Sequence, residues 1–310
     1  MDPADRGHPA GVGRRLRLSV PDLLGRCSFP PAGAEVTCAV SGGPDSLALL
    51  ALASEAGLVV TAVHVDHGLR PGSEAEAEVV ATAAARFGAR FRSERAAVAV
   101  GPNLEARARA ARYAVLPPRA LTGHTADDQA ETVLLNLLRG AGLDGLAGIR
   151  RDGRRPLLDL RRRETHALCD ALGLEPVRDP SNEDLSFRRN RVRHEVLPLL
   201  DDVAERDVAA VLARQAELLA EASDLLEELA SGVDPTDAVA LRNVSPALGR
   251  VAVRAWLRST GAGHPPDGAT VARVLDVAAG RSRATDVGAG WRVARTAGRL
   301  RLEPGGIGDD

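Results

Sequence analysis

No lysine occurs anywhere in the 310 residues; all 40 basic side chains are arginine. A compositional bias that also favours Ala, Gly and Val accounts for this without any functional cause. It still excludes chemistry: the chain can offer no Walker A lysine, no Schiff base and no catalytic amine. Any amine in its reaction must be a substrate. Cysteine is nearly absent too. Cys27, Cys38 and Cys169 lie too far apart in sequence for a disulfide framework or a CxxC metal or redox site. No apolar run approaches the roughly 18–20 residues of a membrane span, and the opening stretch MDPADRGHPAGVGRRLRL has no apolar core of a secretory signal. The expectation is a cytoplasmic protein that touches no membrane.

What is present is ordinary for a globular chain: 45% hydrophobic residues and a length suited to one large domain plus a smaller one. The first 200 residues alternate short apolar strands with helical patterns, as in a parallel sheet wrapped by helices. Strands are expected at Val36–Val40, at Val59–Val65, around Phe91, at Leu121–Thr122 and at Leu157–Leu158. Helices are expected from Asp45 to Ser54, from Ser73 (a capping box with Glu76), from Asn103 to Leu116, and from Asp127 to Arg139. In the last of these, Val133, Leu134, Leu137 and Leu138 make an apolar face for the sheet.

From about Leu185 long helical patterns take over: Arg188 to Leu200, then Ala204 to Leu229 with Leu218, Leu219, Leu225 and Leu226 on its apolar face. Ser231–Pro235 breaks this helix. Helices around Arg250–Leu257 and Val271–Ala278 follow, then short strands near Trp291–Val293 and Leu300–Leu302. The fold class is therefore α/β, with a doubly wound, mainly parallel sheet in residues 1–205 and a smaller, mainly helical domain in 206–310.

Between the first strand and its helix lies Ser41-Gly42-Gly43-Pro44-Asp45-Ser46. The glycines let the backbone turn with its N–H groups exposed, the serines add hydroxyls, and the helix N-terminus carries partial positive charge. This cradle for an anion needs no lysine. An ordinary strand-to-helix turn would also accept Gly-Gly and Asp-Ser. Gly140-Ala141-Gly142-Leu143-Asp144-Gly145 matches G-x-G-x-x-G, but it follows a helix and not a strand, so the dinucleotide geometry is missing.

The full SGGPDS string after VTCAV resembles the signature of the PP-loop ATP pyrophosphatases, which cleave ATP between the α- and β-phosphates. Further strings narrow the resemblance: HVDHGLR from His64, NLEARARAARY from Asn103, GHTADDQAET from Gly123, RGAGLDGLAGI, RPLLDLRRRE and DPSNEDLSFRRNRVRHEVLP. Together, from about residue 36 to 200, they resemble the bacterial tRNA(Ile)-lysidine synthases, with a weaker likeness onward to Leu302. Two positions depart from the pattern: Thr125 stands where relatives often carry a second histidine, and Phe187 where a tyrosine is common. The length suggests the shorter members of that family, without an extended third domain.

The resemblance implies an ATP-dependent C–N ligase. Its substrates would be a tRNA(Ile) with a CAU anticodon and free L-lysine, whose ε-amine joins C2 of the wobble cytidine after adenylation by ATP. Ser41, Gly42, Gly43, Pro44, Asp45 and Ser46 would hold the phosphates with Mg²⁺ neutralising them, and His64 and Asp66 would sit by the nucleotide. His124, Asp128, Glu131, Arg109 and Arg112 would form the catalytic and lysine-binding group. Arg188, Arg189, Arg191 and Arg193 would contact the tRNA. No metal ligand is assigned.

Residue spacing supports part of this set. Helical spacing places His124, Asp128 and Glu131 on one face, where paired carboxylates suit an ammonium group. The same acids could merely complement the helix dipole, and Glu105, Arg109 and Arg112 or Tyr113, which also share a face, could form an intrahelical salt bridge. Basic residues gather in Arg150–Arg163 and again in Arg188–His194, where no acid interrupts them; such stretches suit RNA phosphates or a solvated charge run. Rival readings are a tRNA-thiolating enzyme, which would want cysteine pairs or an iron–sulfur cluster, a small-molecule amidotransferase-type synthetase, which would want an ammonia source, and a nucleotide- or RNA-binding module without catalysis.

Overall fold

Helix α1 (Val20–Leu24), capped by Ser19, leads into strand β1 (Glu35–Ala39), helix α2 (Pro44–Glu55) and strand β2 (Val59–Asp66). Helix α3 (Ser73–Arg86) and strand β3 (Arg90–Arg95) complete a parallel sheet in the order β1-β2-β3, with Glu35 opposite Val59 and Thr61 opposite Arg90. These elements come from a computed structural model that describes residues 19–66, 68, 73–96, 104–260 and 266–305. Asn103 and the side chain of Ser73, both expected to cap helices, lie outside the described residues.

After helix α4 (Leu104–Val115) the chain returns to the other side of β1, where Leu121 bridges Cys38 in parallel. The Ala39 amide donates to the Leu121 carbonyl at 2.9 Å and the Leu121 amide to Thr37 at 2.7 Å. The expected fourth strand is thus a single bridge. The expected fifth strand is a buried turn: Leu157 and Leu158 are covered, but their backbone closes locally, with Leu160 N–H donating to Leu157 at 2.9 Å. A two-leucine apolar run carries no periodicity that separates strand from turn. The sheet winds one way through β2 and β3 and the other way at Leu121, so the carboxyl end of β1 is its switch point, where open α/β sheets bind ligands.

Helix α5 (Ala126–Leu138) is followed by the short α6 (Leu143–Leu146) and then by α7 (Arg162–Ala171). The arginine-rich stretch forms α8 (Arg188–Arg191), a π-helical turn at Val192–Val196, and α9 (Leu197–Ala204), where one continuous α-helix was expected. Helix α10 (Val208–Ser231) follows. Two compact units result: Met1–Leu135 with Ile149–Ala213, and Asn136–Gly148 with Arg214–Asp310.

In the first unit α2 is buried on every side from Ser46 to Ala53, between the sheet and α7, which is why its sequence reads as almost uniformly apolar. Leu134 packs with Val192, Leu197 and Ala209 in a satellite core and not on the sheet. Leu137 and Leu138, expected to pack there as well, are 55% and 73% exposed.

The second unit has its own core, built from α11 (Ala238–Asn243), α12 (Pro246–Ser259), α13 (Gly268–Ala279) and an antiparallel sheet β4 (Ala284–Gly288), β5 (Trp291–Thr296) and β6 (Arg299–Pro304). Within α10 the buried positions are Ala209, Ala216, Ser223 and Ala230, seven residues apart, while Leu218 and Leu225 of the expected apolar face are exposed. Small residues mark the covered stripe, a pattern that apolarity alone misses. No helix among the described residues is long and apolar enough to cross a membrane.

Candidate active site at the strand switch point

The loop Ser41–Ser46 leaves the carboxyl end of β1 and opens α2. Gly42 has φ +87°, and a Cβ there would lie 2.8 Å from Val177 Cγ2. Glycine is needed on both counts. The Ser46 hydroxyl ties the turn together: it donates to Gly43 O at 2.8 Å and accepts from the Ser41 amide at 3.2 Å. Gly43 is the N-cap of α2 and has no side chain to satisfy the first-turn amides, which leaves the helix N-terminus for an anion.

The segment Gly123–Thr125 packs directly against this loop. A Cβ on Gly123 would come within 2.6 Å of Asp45 O and 3.2 Å of Ser46 N, so only glycine allows the approach. His124 shares a hydrogen bond with Thr122 Oγ1 at 2.8 Å. The buried Thr125, which replaces the second histidine of the pattern, gives Asp128 two hydrogen bonds, 2.9 Å from its amide and 3.0 Å from its hydroxyl. Asp128 is thereby fixed at the start of α5, one turn before Glu131.

Around these acids the structure gathers a charge cluster. Arg162, the first residue of α7, lies 3.0 Å from Asp128, 2.9 Å from Glu131 and 3.5 Å from Asp45. Arg189 reaches Glu131 at 2.7 Å and Asp128 at 3.2 Å, and Arg193 reaches Glu131 at 2.7 Å. Three carboxylates thus meet three guanidiniums. The Glu131 side chain has no exposed surface at all, and pairing on this scale is what lets its charge stay buried.

Burial works to raise the Asp128 carboxyl, but Arg162, Arg189 and His124 outweigh it and hold it at about 2. Glu131 is lowered as well: burial opposes, while the Arg193 hydrogen bond and Arg162 prevail. Asp45 goes the other way, raised by burial, with Arg162 and the Thr165 hydroxyl only partly offsetting it. Burial also pushes the thiols of Cys27, Cys38 and Cys169 up to about 12.

A second tier braces the cluster. Arg161 holds Asp127 through two hydrogen bonds, at 3.0 and 2.8 Å, and pairs with Asp207. The Arg162 amide also donates to Asp127, at 2.7 Å.

The other expected site residues fall as follows. His64 is buried on β2; its Nδ1–H donates to Val40 O at 3.1 Å, and its Nε2 has no hydrogen-bond partner among the described residues. Asp66 ends the strand and accepts from the Gly68 amide at 2.8 Å. Arg112 is exposed on α4, and the side chain of Arg109 lies outside the described residues. Arg188 and Arg191 are exposed, whereas Arg189 and Arg193 turn inward to the acids. In the earlier basic stretch Arg151 pairs with Asp159, and Arg154 and Arg155 with Asp152, so much of that charge is internally matched.

Sequence reasoning did not single out Arg162, Thr165 or Cys169, which all sit on α7 facing the loop. Only Arg162 lies in the RPLLDLRRRE string, and three adjacent arginines cannot be told apart without the helix that sorts them. Among the described residues no group of three or more His, Cys, Asp or Glu side chains could hold a metal ion.

A PP-loop domain profile matches residues 23–200. The chain is 46% identical to the tRNA(Ile)-lysidine synthase of Nocardia farcinica over 255 residues, 77% of this chain and 80% of that protein. It is 44% identical to the protein of the same name from Mycobacterium tuberculosis over 244 residues, 72% and 75% of the two chains. Among solved structures, the U34-tRNA thiolase NcsA from Methanococcus maripaludis aligns with TM-score 0.53 at 20% identity, covering 65% of this chain and 77% of that one. That last likeness is one of fold alone.

Proposed function

The chain belongs to the tRNA(Ile)-lysidine synthase family of PP-loop proteins, and from that premise we propose that it is an ATP-dependent ligase converting the wobble cytidine of a CAU-anticodon tRNA(Ile) to lysidine. Cytidine O2 attacks the α-phosphate of ATP; the O2–P bond forms and pyrophosphate leaves. The ε-amine of free lysine then attacks C2, the C2–O2 bond breaks, AMP departs and the amine gives up its proton. The observation that carries this reading is the charge cluster of Asp45, Asp128 and Glu131 beside the Ser41–Ser46 loop.

In this reading the loop amides and the hydroxyls of Ser41 and Ser46 receive the phosphates, with His64 and Asp66 at the same edge of the sheet. Mg²⁺ would enter with the ATP and neutralise its phosphate charge, as suits an ion that keeps its waters and needs few protein ligands. Asp128 and Glu131 take the lysine ammonium, with His124, Arg109 and Arg112 completing the group. Their charges are already matched by guanidiniums, so an entering ammonium takes the place of one. Arg189 and Arg193 belong to the same arginine-rich segment as the exposed Arg188 and Arg191. RNA phosphates offer all four an alternative partner.

A thiolating activity is the weaker reading. It would need reactive cysteines, whereas all three thiols are free and pushed to about 12. The test is a quench assay that follows pyrophosphate release and lysine incorporation separately, with and without tRNA. Pyrophosphate release that does not depend on tRNA, or no lysine incorporation, would sink the proposal.

A further inference from the structure

Helix α7 touches the phosphate loop at three points spaced along one face. Arg162 lies 3.5 Å from Asp45, the Thr165 hydroxyl hydrogen-bonds the other oxygen of Asp45, and Cys169 Sγ–H donates to Pro44 O at 3.3 Å. The Asp45 carboxylate therefore faces α7, and it acts by tethering the first turn of α2. Thr165 is wholly buried, so its hydroxyl is placed by packing and not by chance of rotation.

We propose that Thr165 is a positioning residue of the phosphate loop, whose hydroxyl holds the Asp45 carboxylate in the orientation and charge state that shape the loop for nucleotide phosphates. The inference rests on the reading of Ser41–Ser46 as the ATP-binding loop. A hydroxyl has one proton, and here it has two acceptors: Asp45 Oδ1 and, at 2.8 Å, the Arg162 carbonyl. With Asp45 ionised, the proton points to the carboxylate. With Asp45 protonated, the carboxyl O–H donates to Thr165 and the threonine proton turns back to the helix carbonyl. Only the first arrangement keeps the attraction between Asp45 and Arg162.

The other groups facing Asp45 are Arg162, His166 and Cys169 of α7 and Asp128 of α5. Burial disfavours the Asp45 charge most, Arg162 and His166 favour it, and Asp128 disfavours it. The Thr165 hydroxyl adds to the side that favours the charge, since a hydrogen bond to a charged group is about twice as strong as a neutral one.

The test is MgATP binding to the full chain by calorimetry from about pH 5 to about pH 8, because burial raises the Asp45 carboxyl above its ordinary value. The variants are Thr165→Val, Thr165→Ser and Asp45→Asn. Thr165→Val keeps shape and deletes the donor; its acid limb is expected to move up by about one pH unit, weakening ATP binding about tenfold at the acid end and little at the alkaline end. Thr165→Ser restores the wild-type profile. A Thr165→Val profile that superimposes on wild type overturns the inference. So does a loss equal at every pH that serine does not restore, which would make Thr165 a packing residue only. Wild-type ATP binding by Asp45→Asn would instead refute the loop assignment itself, whatever Thr165 does.

Discussion

Replacing Glu131 with Gln removes one negative charge from a site where three guanidiniums stay behind. The carboxylate accepts from Arg162 Nη1 at 2.9 Å, Arg189 Nε at 2.7 Å, and Arg193 Nε and Nη2 at 2.7 and 3.2 Å. An amide keeps the shape but turns two donors toward cations. Breaking a buried pair from one side costs about 3–5 kcal/mol. On a scale of about 2–4 °C per kcal/mol for a domain of this size, the unfolding midpoint should fall by roughly 6–20 °C.

The assay is thermal and urea unfolding at neutral pH, with Glu195→Gln as the control. Glu195 pairs with Arg191 on the surface at 2.8 Å, and such a pair contributes only about 0.3–0.5 kcal/mol. The double variant Glu131→Gln/Arg193→Met should recover part of the loss, since it removes one stranded cation. A Glu131→Gln midpoint no lower than that of Glu195→Gln would refute the cluster as the element that secures α5, α7 and α8 around the site.

Three further outcomes are expected. Ser46→Ala and Asp45→Ala each abolish ATP-dependent pyrophosphate release while the circular dichroism spectrum stays native; near-wild-type release in both would place the phosphates elsewhere. Stability should fall on acidification: Asp128 is depressed to about 2, so its contribution of about 2 kcal/mol is complete above its ordinary value near 4 and is lost as pH drops toward 2. An Asp128→Asn variant with an unchanged slope of unfolding free energy against pH in that window would contradict this. The tRNA affinity should weaken steeply with salt, and Arg188→Gln/Arg191→Gln should flatten the log–log slope by roughly 0.7–0.9 for each phosphate no longer neutralised; an unaltered slope would move the RNA surface away from α8.

How much of this was legible in the sequence depends on the kind of signal. The turn at Ser41–Ser46 was readable because Gly42 and Gly123 answer to backbone geometry, a positive φ in one case and a backbone 2.6 Å away in the other. Asp128 and Glu131 were readable from spacing on one helix. Arg162 and Thr165 were not, since their meaning arises across 31 and 120 residues of separation, in contacts to Glu131 and Asp45.

Arg189 and Arg193 look from the sequence like members of an RNA-facing run, yet burial turns them toward Glu131. The π-helical turn at Val192–Val196 sits within this segment, and no residue pattern announces it. Leu137 and Leu138 show the reverse error. Apolar spacing on α5 predicted burial, yet both are exposed.

The central claim is that this chain forms a C–N bond between lysine and a tRNA base. It is tested most directly by incubating the full chain with ATP, Mg²⁺, isotopically labelled free lysine and an unmodified CAU-anticodon tRNA(Ile), then identifying the nucleosides by mass spectrometry. Because the protein contains no lysine, all label comes from the substrate. The account predicts one labelled lysidine at the wobble cytidine, formed only with ATP present and in step with AMP and pyrophosphate. An unmodified cytidine, or one carrying sulfur in place of lysine, would contradict it.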